Sequence, residues 1–174
     1  MKTIISITFF LSAFLFATQA QVGKSVSNVK LVDVNDVVKN IPYLGNKVFT
    51  LFYVDPDVQD VVDPLSDAID AKNYPKGKFG AVGAANCKDT WFPNSTILYK
   101  ARQKQEKFPK SLILLDKGYI LRNTWGFGDC NDIAMVIIVG KDSKIKYAKA
   151  VKSQNECKGI INAVLKTIEE ELKK

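Results

Sequence analysis

Histidine is absent from the 174-residue chain. Without imidazole, the chain cannot build the Ser–His or Cys–His pairs of many hydrolases, nor the zinc sites that depend on histidine ligands. Cysteine is scarce as well: the three residues Cys87, Cys130 and Cys157 lie far apart in the sequence, and none belongs to a Cys-x-x-Cys motif. The sequence therefore lacks the usual dithiol of redox enzymes. These absences favour a protein that is not an enzyme and that uses no metal and no cofactor.

The N-terminus has the pattern of a secretory signal. Lys2 supplies a positive charge, residues 4–16 are almost entirely apolar, and Thr18 and Ala20 give the small-x-small pattern of a cleavage site. The apolar run is short for a bilayer span and no stop-transfer sequence follows it, which disfavours the alternative of a retained membrane anchor. We expect cleavage before Gln21 and no stable membrane insertion afterwards. The protein is then exported, to the periplasm if the source is a Gram-negative bacterium and to the outside otherwise.

Removal of the signal peptide at residues 1–20 leaves residues 21–174, a length that suits a single domain with one hydrophobic core. The formal charge of +7 falls by one on cleavage, because Lys2 leaves with the signal. The other lysines are spread along the chain, as is typical of a solvated surface, rather than clustered. We therefore expect no nucleic-acid partner.

Strand-like and helix-like segments alternate along the rest of the chain. Residues 48–54, VFTLFYV, are β-branched, aromatic or aliphatic and uncharged, which predicts a buried central strand. Apolar residues then recur three and four apart as far as Lys72, which predicts a helix in which Pro64 is a candidate for a kink. Further strands are predicted at 78–85, 111–115, 119–125, 134–139 and 144–150, helices at 95–106 and 155–173, and a strand with a short helix within 29–41. Two βα units, a ββ element, a hairpin and a final helix predict an α/β fold with a mixed sheet.

The segment LGNKVFTLFYVDPDVQDVVDPLSDAI resembles the first core strand and helix of thioredoxin-like proteins. The resemblance implies a three-layer α/β sandwich with a mixed central sheet and a C-terminal helix. In that family a cysteine pair occupies the first turn of the helix. The matching residues here are Pro56, Asp57, Val58 and Gln59, so dithiol chemistry cannot run at this position. Ala134 stands where the family places a cis-proline.

The second half of the chain carries a more specific resemblance. The stretch FPNSTILYKARQKQEKFPKSLILLDKGYILRNTWGF, followed by AMVIIVGKDSKIKYAKAV, is similar to the YtfJ family of small exported bacterial proteins. The similarity lies in the order of elements and in Pro93, Ser95, Pro109, Asp116, Gly118, Trp125 and Tyr147. The family supplies no catalytic residues that can be placed on this chain, so the resemblance implies an exported thioredoxin-like protein without an assigned reaction.

The three cysteines belong to a chain bound for an oxidising compartment, where thiols tend to pair. Cys130 precedes the predicted strand at 134–139, and Cys157 opens the last helix after the hairpin has returned the chain to the same end. This path predicts a Cys130–Cys157 disulfide and leaves Cys87 as a free or alternative thiol. A redox role for a cluster of all three is the alternative.

Four aromatic residues near predicted turns are candidates for a binding groove: Trp91, Phe92, Trp125 and Phe127. Aromatic side chains at loops often line ligand sites, and the alternative is that they close the edge of the core. A separate group of aspartates opens the first helix, where carboxylates stabilise the helix dipole. Their spacing lacks the glycine and the terminal glutamate of a calcium loop, so no metal site is predicted.

Together these features predict an exported thioredoxin-like protein without the dithiol, which acts as a non-enzymatic binding or accessory protein of the cell envelope. Its partner would be another envelope protein or a small ligand. The alternative is an atypical thiol oxidoreductase or redox sensor that uses Cys87, Cys130 or Cys157.

Overall fold

The computed structural model describes residues 22–174. The predicted signal peptide and the predicted first mature residue, Gln21, lie outside the described residues. The strands are β1 (Lys30–Asp33), β2 (Val38–Asn40), β3 (Val48–Val54), β4 (Phe79–Asn86), β5 (Ser111–Asp116), β6 (Ala134–Val139) and β7 (Ile145–Val151). The helices are α1 (Asp63–Lys72), α2 (Asn94–Lys107), α3 (Ile120–Trp125) and α4 (Gln154–Leu172), and a 3₁₀ helix (Pro56–Val62) precedes α1.

The seven strands form one mixed sheet in the order β2-β1-β5-β4-β3-β6-β7. β3, β4 and β5 are parallel, and all other neighbouring pairs are antiparallel. Helices α1 and α2 connect the parallel strands, and both connections move in the same direction across the sheet. Because such crossovers are right-handed, both helices lie on the same face. The α/β class, the mixed sheet and the C-terminal helix predicted from the sequence are confirmed.

The first helical segment begins as a 3₁₀ helix and becomes α-helical at Asp63. Pro64 lies in the first turn of α1, where the missing amide hydrogen costs no intrahelical bond. The proline therefore helps to start α1 and does not kink it. Asn73 ends the helix in the left-handed conformation, a common way to stop an α-helix.

The strand expected at 119–125 is not formed, and residues 120–125 form helix α3 instead. Asp116, the last residue of β5, accepts hydrogen bonds from the backbone amides of Ile120 and Leu121 at 2.8 and 3.0 Å. These amides belong to the first turn of the helix, which has no intrahelical acceptor for them. The aspartate side chain therefore stabilises a helix over a stretch whose aromatic and β-branched residues suggest a strand.

The N-terminal segment is also different from the expectation. Residues 29–41 contain no helix and form the hairpin β1-β2. Asp33 accepts hydrogen bonds from the backbone amides of Asn35 and Val37 at 2.8 and 3.0 Å, which closes the turn between the two strands. The hairpin adds β1 to the sheet next to β5.

The sheet buries side chains on both faces, because successive residues of a strand point in opposite directions. The face that carries Tyr53 is covered by α3 and the N-terminal segment. The face that carries Phe52 is covered by α1 and α4. On that second face, α2 covers β5 around Ile113 and forms a separate apolar cluster. The second face therefore has two clusters, one under α1 and α4 and one under α2, with β4 between them.

The two edges of the sheet are protected differently. β2 has only three residues. At the other edge, residues 23–26 hydrogen-bond to the start of β7, including a bond from the amide of Gly23 to the carbonyl of Ile145 at 2.8 Å. The pairing of β6 with β7 shifts register at Val139, which leaves Lys146 as an extra residue in β7.

Within residues 22–174, no helix is long and apolar enough to span a membrane.

Candidate functional site

Each of the three parallel strands is completed by a polar residue at its carboxyl end. Asp55 directly follows β3, Asn86 is the last residue of β4, and Asp116 is the last residue of β5, and all three are fully buried. In open α/β sheets, ligands and functional residues collect at this edge. The sequence analysis did not single out these three positions together, although each is a polar residue at the end of an apolar strand.

Asp116 is held by four backbone amides and a phenol. Its Oδ1 accepts from Gly118 and Ile120, and its Oδ2 accepts from Leu121 and Arg122. The hydroxyl of Tyr53 donates to the same Oδ2 across 3.1 Å. Burial and the adjacent carboxylate raise the pKa of Tyr53, so the phenol stays protonated and keeps donating. This carboxylate thus joins the start of α3 to the central strand.

Asp55 occupies the junction between β3 and the 3₁₀ helix. Its Oδ1 accepts from the backbone amide of Asp57 at 2.9 Å, and its Oδ2 accepts from the backbone amide of Asp132 at 2.8 Å. The side chain therefore caps the helix and ties it to the loop that enters β6. Burial raises the pKa of Asp55 despite these bonds.

The residues after Asp55 stand where the thioredoxin-like resemblance places the cysteine pair. The helical turn from Pro56 to Gln59 follows the central strand β3, as the sequence alignment requires, and it contains no thiol. Asp57 in this turn accepts a hydrogen bond from the hydroxyl of Thr90 at 2.7 Å. The turn is thus built from a proline, a carboxylate and an amide side chain, and has no nucleophile for disulfide exchange.

Oxygens of Asp55, Asp57 and Asp132 lie within 4.8 Å of one another. Oxygens are the donors that hard cations prefer, so these three residues are the set in the described chain that could hold such an ion. Both oxygens of Asp55 and one oxygen of Asp57 already accept hydrogen bonds. The cluster is explained by backbone capping, and we assign it no metal.

A second polar group lies beside Asp116. Asp89, in the loop after β4, accepts from the side chains of Asn86, Tyr119 and Arg122, the last at 3.0 Å. The guanidinium of Arg122 also lies 3.7 Å from the centre of the Tyr119 ring. This network links the loop after β4 to the start of α3, so that the loops at this edge form one hydrogen-bonded unit.

The three cysteines lie in three different surroundings and form no disulfide. Cys130 is buried on the face of the sheet that carries Tyr53, whereas Cys157 is buried on the opposite face. Cys87 is half-buried and packs against the cluster under α2. The expected Cys130–Cys157 bridge is therefore not formed, because the sheet separates the two thiols.

All three thiols are also poorly activated. Burial raises the pKa of Cys130 to about 12, with a smaller opposing effect of Arg122. Burial and the charge of Asp116 raise the pKa of Cys87 to about 11. Burial also raises the pKa of Cys157. Since the thiolate is the reactive form, these surroundings disfavour nucleophilic chemistry.

The four candidate aromatic residues divide into two pairs. Trp125 and Phe127 are buried in the core, 6.0 Å apart in an edge-on arrangement, and the indole of Trp125 donates to the carbonyl of Ser27. They close the core and line no surface groove. Trp91 is 79% exposed, and its ring lies 4.6 Å from that of Phe92. Only this second pair is placed where a ligand can reach it.

A cleft lies between the two apolar clusters on the α1 and α2 face of the sheet. Its volume is about 70 Å³. The floor is formed by small and apolar residues of β3 and β4, including Phe52, Gly83 and Ala85, and the walls come from the 3₁₀ helix, α1 and α2. The sequence predicted a strand at 78–85 but not that α1 and α2 leave a gap above it.

The fold that surrounds this site is thioredoxin-like. It is similar to the exposed lipoprotein thioredoxin Etrx1 of Streptococcus pneumoniae, with a TM-score of 0.60 and 13% identity over 83% of this chain and 99% of that chain. It is also similar to a putative thiol:disulfide interchange protein DsbE of Chlorobium tepidum, with a TM-score of 0.59 and 14% identity over 85% and 98% of the two chains. A peroxiredoxin-like protein of Aquifex aeolicus gives a TM-score of 0.56 and 15% identity over 85% and 88%. Likeness at these identities establishes the fold alone.

A family of bacterial proteins of unknown function, designated YtfJ_HI0045, matches residues 47–170. The chain belongs to this family, as the resemblance in its second half predicted. The matched region runs from the start of β3 into α4 and includes the whole carboxyl edge of the parallel strands. A comparison with curated proteins gave no match.

Proposed function

We propose that this protein is an exported, thioredoxin-like binding or accessory protein that does not catalyse thiol–disulfide exchange. The observation that carries the proposal is the turn at Pro56 to Gln59, which holds no thiol at the position that the dithiol occupies in redox relatives. The fold is kept while the residues needed for its common reaction are replaced by groups that cap a helix and tie loops together.

The surroundings of this turn support the same proposal. Asp55 precedes the turn and Asp57 lies in it, and a nearby negative charge disfavours a thiolate. Both carboxylates are engaged in hydrogen bonds within the protein, which suits a structural role. A polar network at the strand ends and an apolar cleft beside it are features of a binding platform.

The alternative function, an atypical thiol oxidoreductase or redox sensor, depends on Cys87, Cys130 or Cys157. It is weakened by the three separate surroundings of these residues, because exchange through a resolving thiol requires two sulfurs in contact. Cys87 is the most accessible of the three and is the residue on which this alternative would have to rest.

The proposal is tested by insulin reduction in the presence of dithiothreitol. We expect the mature protein to leave the rate at its uncatalysed value, and the Cys87→Ser variant to behave identically. A thioredoxin with an intact dithiol serves as the positive control. Catalysed turnover that disappears in Cys87→Ser, Cys130→Ser or Cys157→Ser would refute the proposal and establish the alternative.

A further inference from the structure

The cleft between α1 and α2 has an apolar interior. Phe52 and Val54 of β3 line it together with Gly83 and Ala85 of β4, which lie opposite them in the parallel register. Gly83 and Ala85 are only half-buried although β4 lies in the middle of the sheet. A central strand with a partly uncovered apolar face is unusual, because helices normally cover both faces of a parallel sheet.

The walls of the cleft are fixed by ion pairs. Asp63, at the start of α1, pairs with Lys104 and Lys107 of α2, the latter at 2.7 Å. Lys104 also pairs with Asp60 of the 3₁₀ helix at 3.1 Å. These bonds hold α2 at a set distance from α1, so the cleft is part of the folded structure and does not depend on a chance arrangement of mobile side chains.

One cation at the cleft has no acidic partner. Lys100 lines the cleft one turn before Lys104 on the same face of α2, and it makes no ion pair with any of the described residues 22–174. Its ammonium lies 4.6 Å from the centre of the Phe92 ring, which fixes its direction without neutralising its charge. The other lysine of the cleft, Lys104, is neutralised by two carboxylates.

We propose that this cleft binds an amphipathic monocarboxylate, with its aliphatic tail on Gly83 and Ala85 and its carboxylate on the ammonium of Lys100. The inference rests on the proposed binding function and names a ligand class for it. The apolar floor of the cleft suits an aliphatic tail, and a volume of about 70 Å³ is several times what one water needs. A single unpaired cation at the rim selects a single negative charge. The positive net charge of the chain acts in the same direction.

The test is isothermal titration of the mature protein with octanoate, octan-1-ol and octylammonium. We expect octanoate to bind, octan-1-ol to bind more weakly and octylammonium not to bind. In Lys100→Gln, octanoate should bind about tenfold more weakly, the loss of one charge-assisted hydrogen bond, and octan-1-ol should be unaffected. Lys158→Gln, which removes the same charge from the exposed side of α4, is the matched control and should change neither affinity.

A second variant tests the tail site. Ala85→Leu places a larger side chain in the cleft and should abolish binding of both octanoate and octan-1-ol. Thermal unfolding shows whether this variant folds, and if it does not, octanoate-induced shifts of the Gly83 and Ala85 amide resonances in the unmodified protein decide the location. No binding of octanoate, equal affinity for octan-1-ol, or unchanged affinity in Lys100→Gln would overturn the inference. Those results would leave the insulin test of the proposed function unaffected, whereas catalysed insulin reduction would refute that function without touching the cleft.

Discussion

Asp116 shows how a single side chain can decide local structure. It accepts hydrogen bonds from four backbone amides at the start of α3 and from the phenol of Tyr53 in the central strand. Hydrogen bonds to a charged group are worth about 1.5–3 kcal/mol each, so this carboxylate offsets the weak helix propensity of the residues that follow it. The sequence indicates a turn at this position but not which amides the carboxylate will reach.

The buried polar residues at the strand ends were the part of the site that sequence reasoning missed. Asp55, Asn86 and Asp116 each follow an apolar run, and that pattern is visible in the sequence. Whether such a side chain points to solvent or folds back onto the protein depends on residues distant in sequence, such as Asp132 and Tyr53. The missing dithiol, by contrast, was predictable from the alignment of one strand and one turn.

The cysteines provide a prediction at the scale of single residues. Because their pKa values are raised, the thiolate fraction at neutral pH is small and grows as the pH increases. Below the pKa the fraction falls about tenfold for each pH unit, so Cys87, with a pKa of about 11, should react with iodoacetamide at pH 7 more than about a hundred times more slowly than free cysteine. Cys130 and Cys157 should react only after unfolding.

This prediction is checked by mass spectrometry of peptides after alkylation at several pH values. Cys87→Ser should remove the labelling of the native protein, and labelling in guanidinium should recover the remaining two thiols. Rapid labelling of any of the three at neutral pH in the native protein would contradict the pKa directions.

At the scale of secondary structure, the C-terminal helix carries a clear start signal. Ser153 accepts a hydrogen bond from the amide of Glu156 at 3.2 Å, and the carboxylate of Glu156 accepts from the amide of Lys152 at 2.8 Å. The spacing Ser-x-x-Glu is that of a capping box. Ser153 is accordingly the N-cap residue of this helix.

Removal of this cap should destabilise the protein. Ser153→Ala should lower the free energy of unfolding by about 1 kcal/mol, because one amide of the first turn loses its acceptor. For a domain of this size that corresponds to a fall of about 2–4 °C in the melting temperature. Urea and thermal unfolding measure both quantities, with Ser27→Ala, outside any helix, as the control. An unchanged melting temperature in Ser153→Ala would show that the cap is not a stabilising contact.

The elements that were predicted well are those whose surroundings are uniform. β3 and β6 are buried along almost their whole length, and their apolar runs gave the correct bounds. Helix α2 was predicted to within one residue at each end from its apolar face and the preceding proline. The errors, α3 and the hairpin β1-β2, fall where an aspartate side chain directs the backbone, which residue periodicity does not report.

At the scale of the whole molecule, the sheet separates two faces that carry different apolar clusters. This separation explains why the expected disulfide is not formed. The hairpin returns the chain towards its starting point, but Cys130 and Cys157 lie on opposite faces of the sheet. The cleft has a different origin: on one face, α1 and α2 pack against different partners, α4 and β5. Sequence periodicity can indicate which residues of a strand share a face. It does not predict that the two cysteines lie on opposite faces of the sheet, nor that two helices leave a gap between them.

The N-terminal residues give a prediction for the whole protein. Expressed with its full sequence in a Gram-negative host, the protein should be recovered from the periplasm as a chain that begins at Gln21, because residues 1–20 have the charge, length and small-residue pattern of a cleaved signal. Intact-mass measurement of the fractionated protein checks the cleavage site, and a version without residues 2–20 should stay in the cytoplasm. An uncleaved chain in the cytoplasmic fraction would contradict the prediction.

The extra residue in β7 affects how readily another chain can add a strand to this edge of the sheet. An unpaired strand edge is a template on which another chain can add a strand, and regular edges are sites of aggregation. The register shift at Lys146 interrupts the regular spacing of donors and acceptors, and the exposed Lys149 places a charge in the path of an incoming strand. Residues 23–26 pair with the start of the last strand, and along the rest of it the bulge and the lysine disfavour the addition of a further strand.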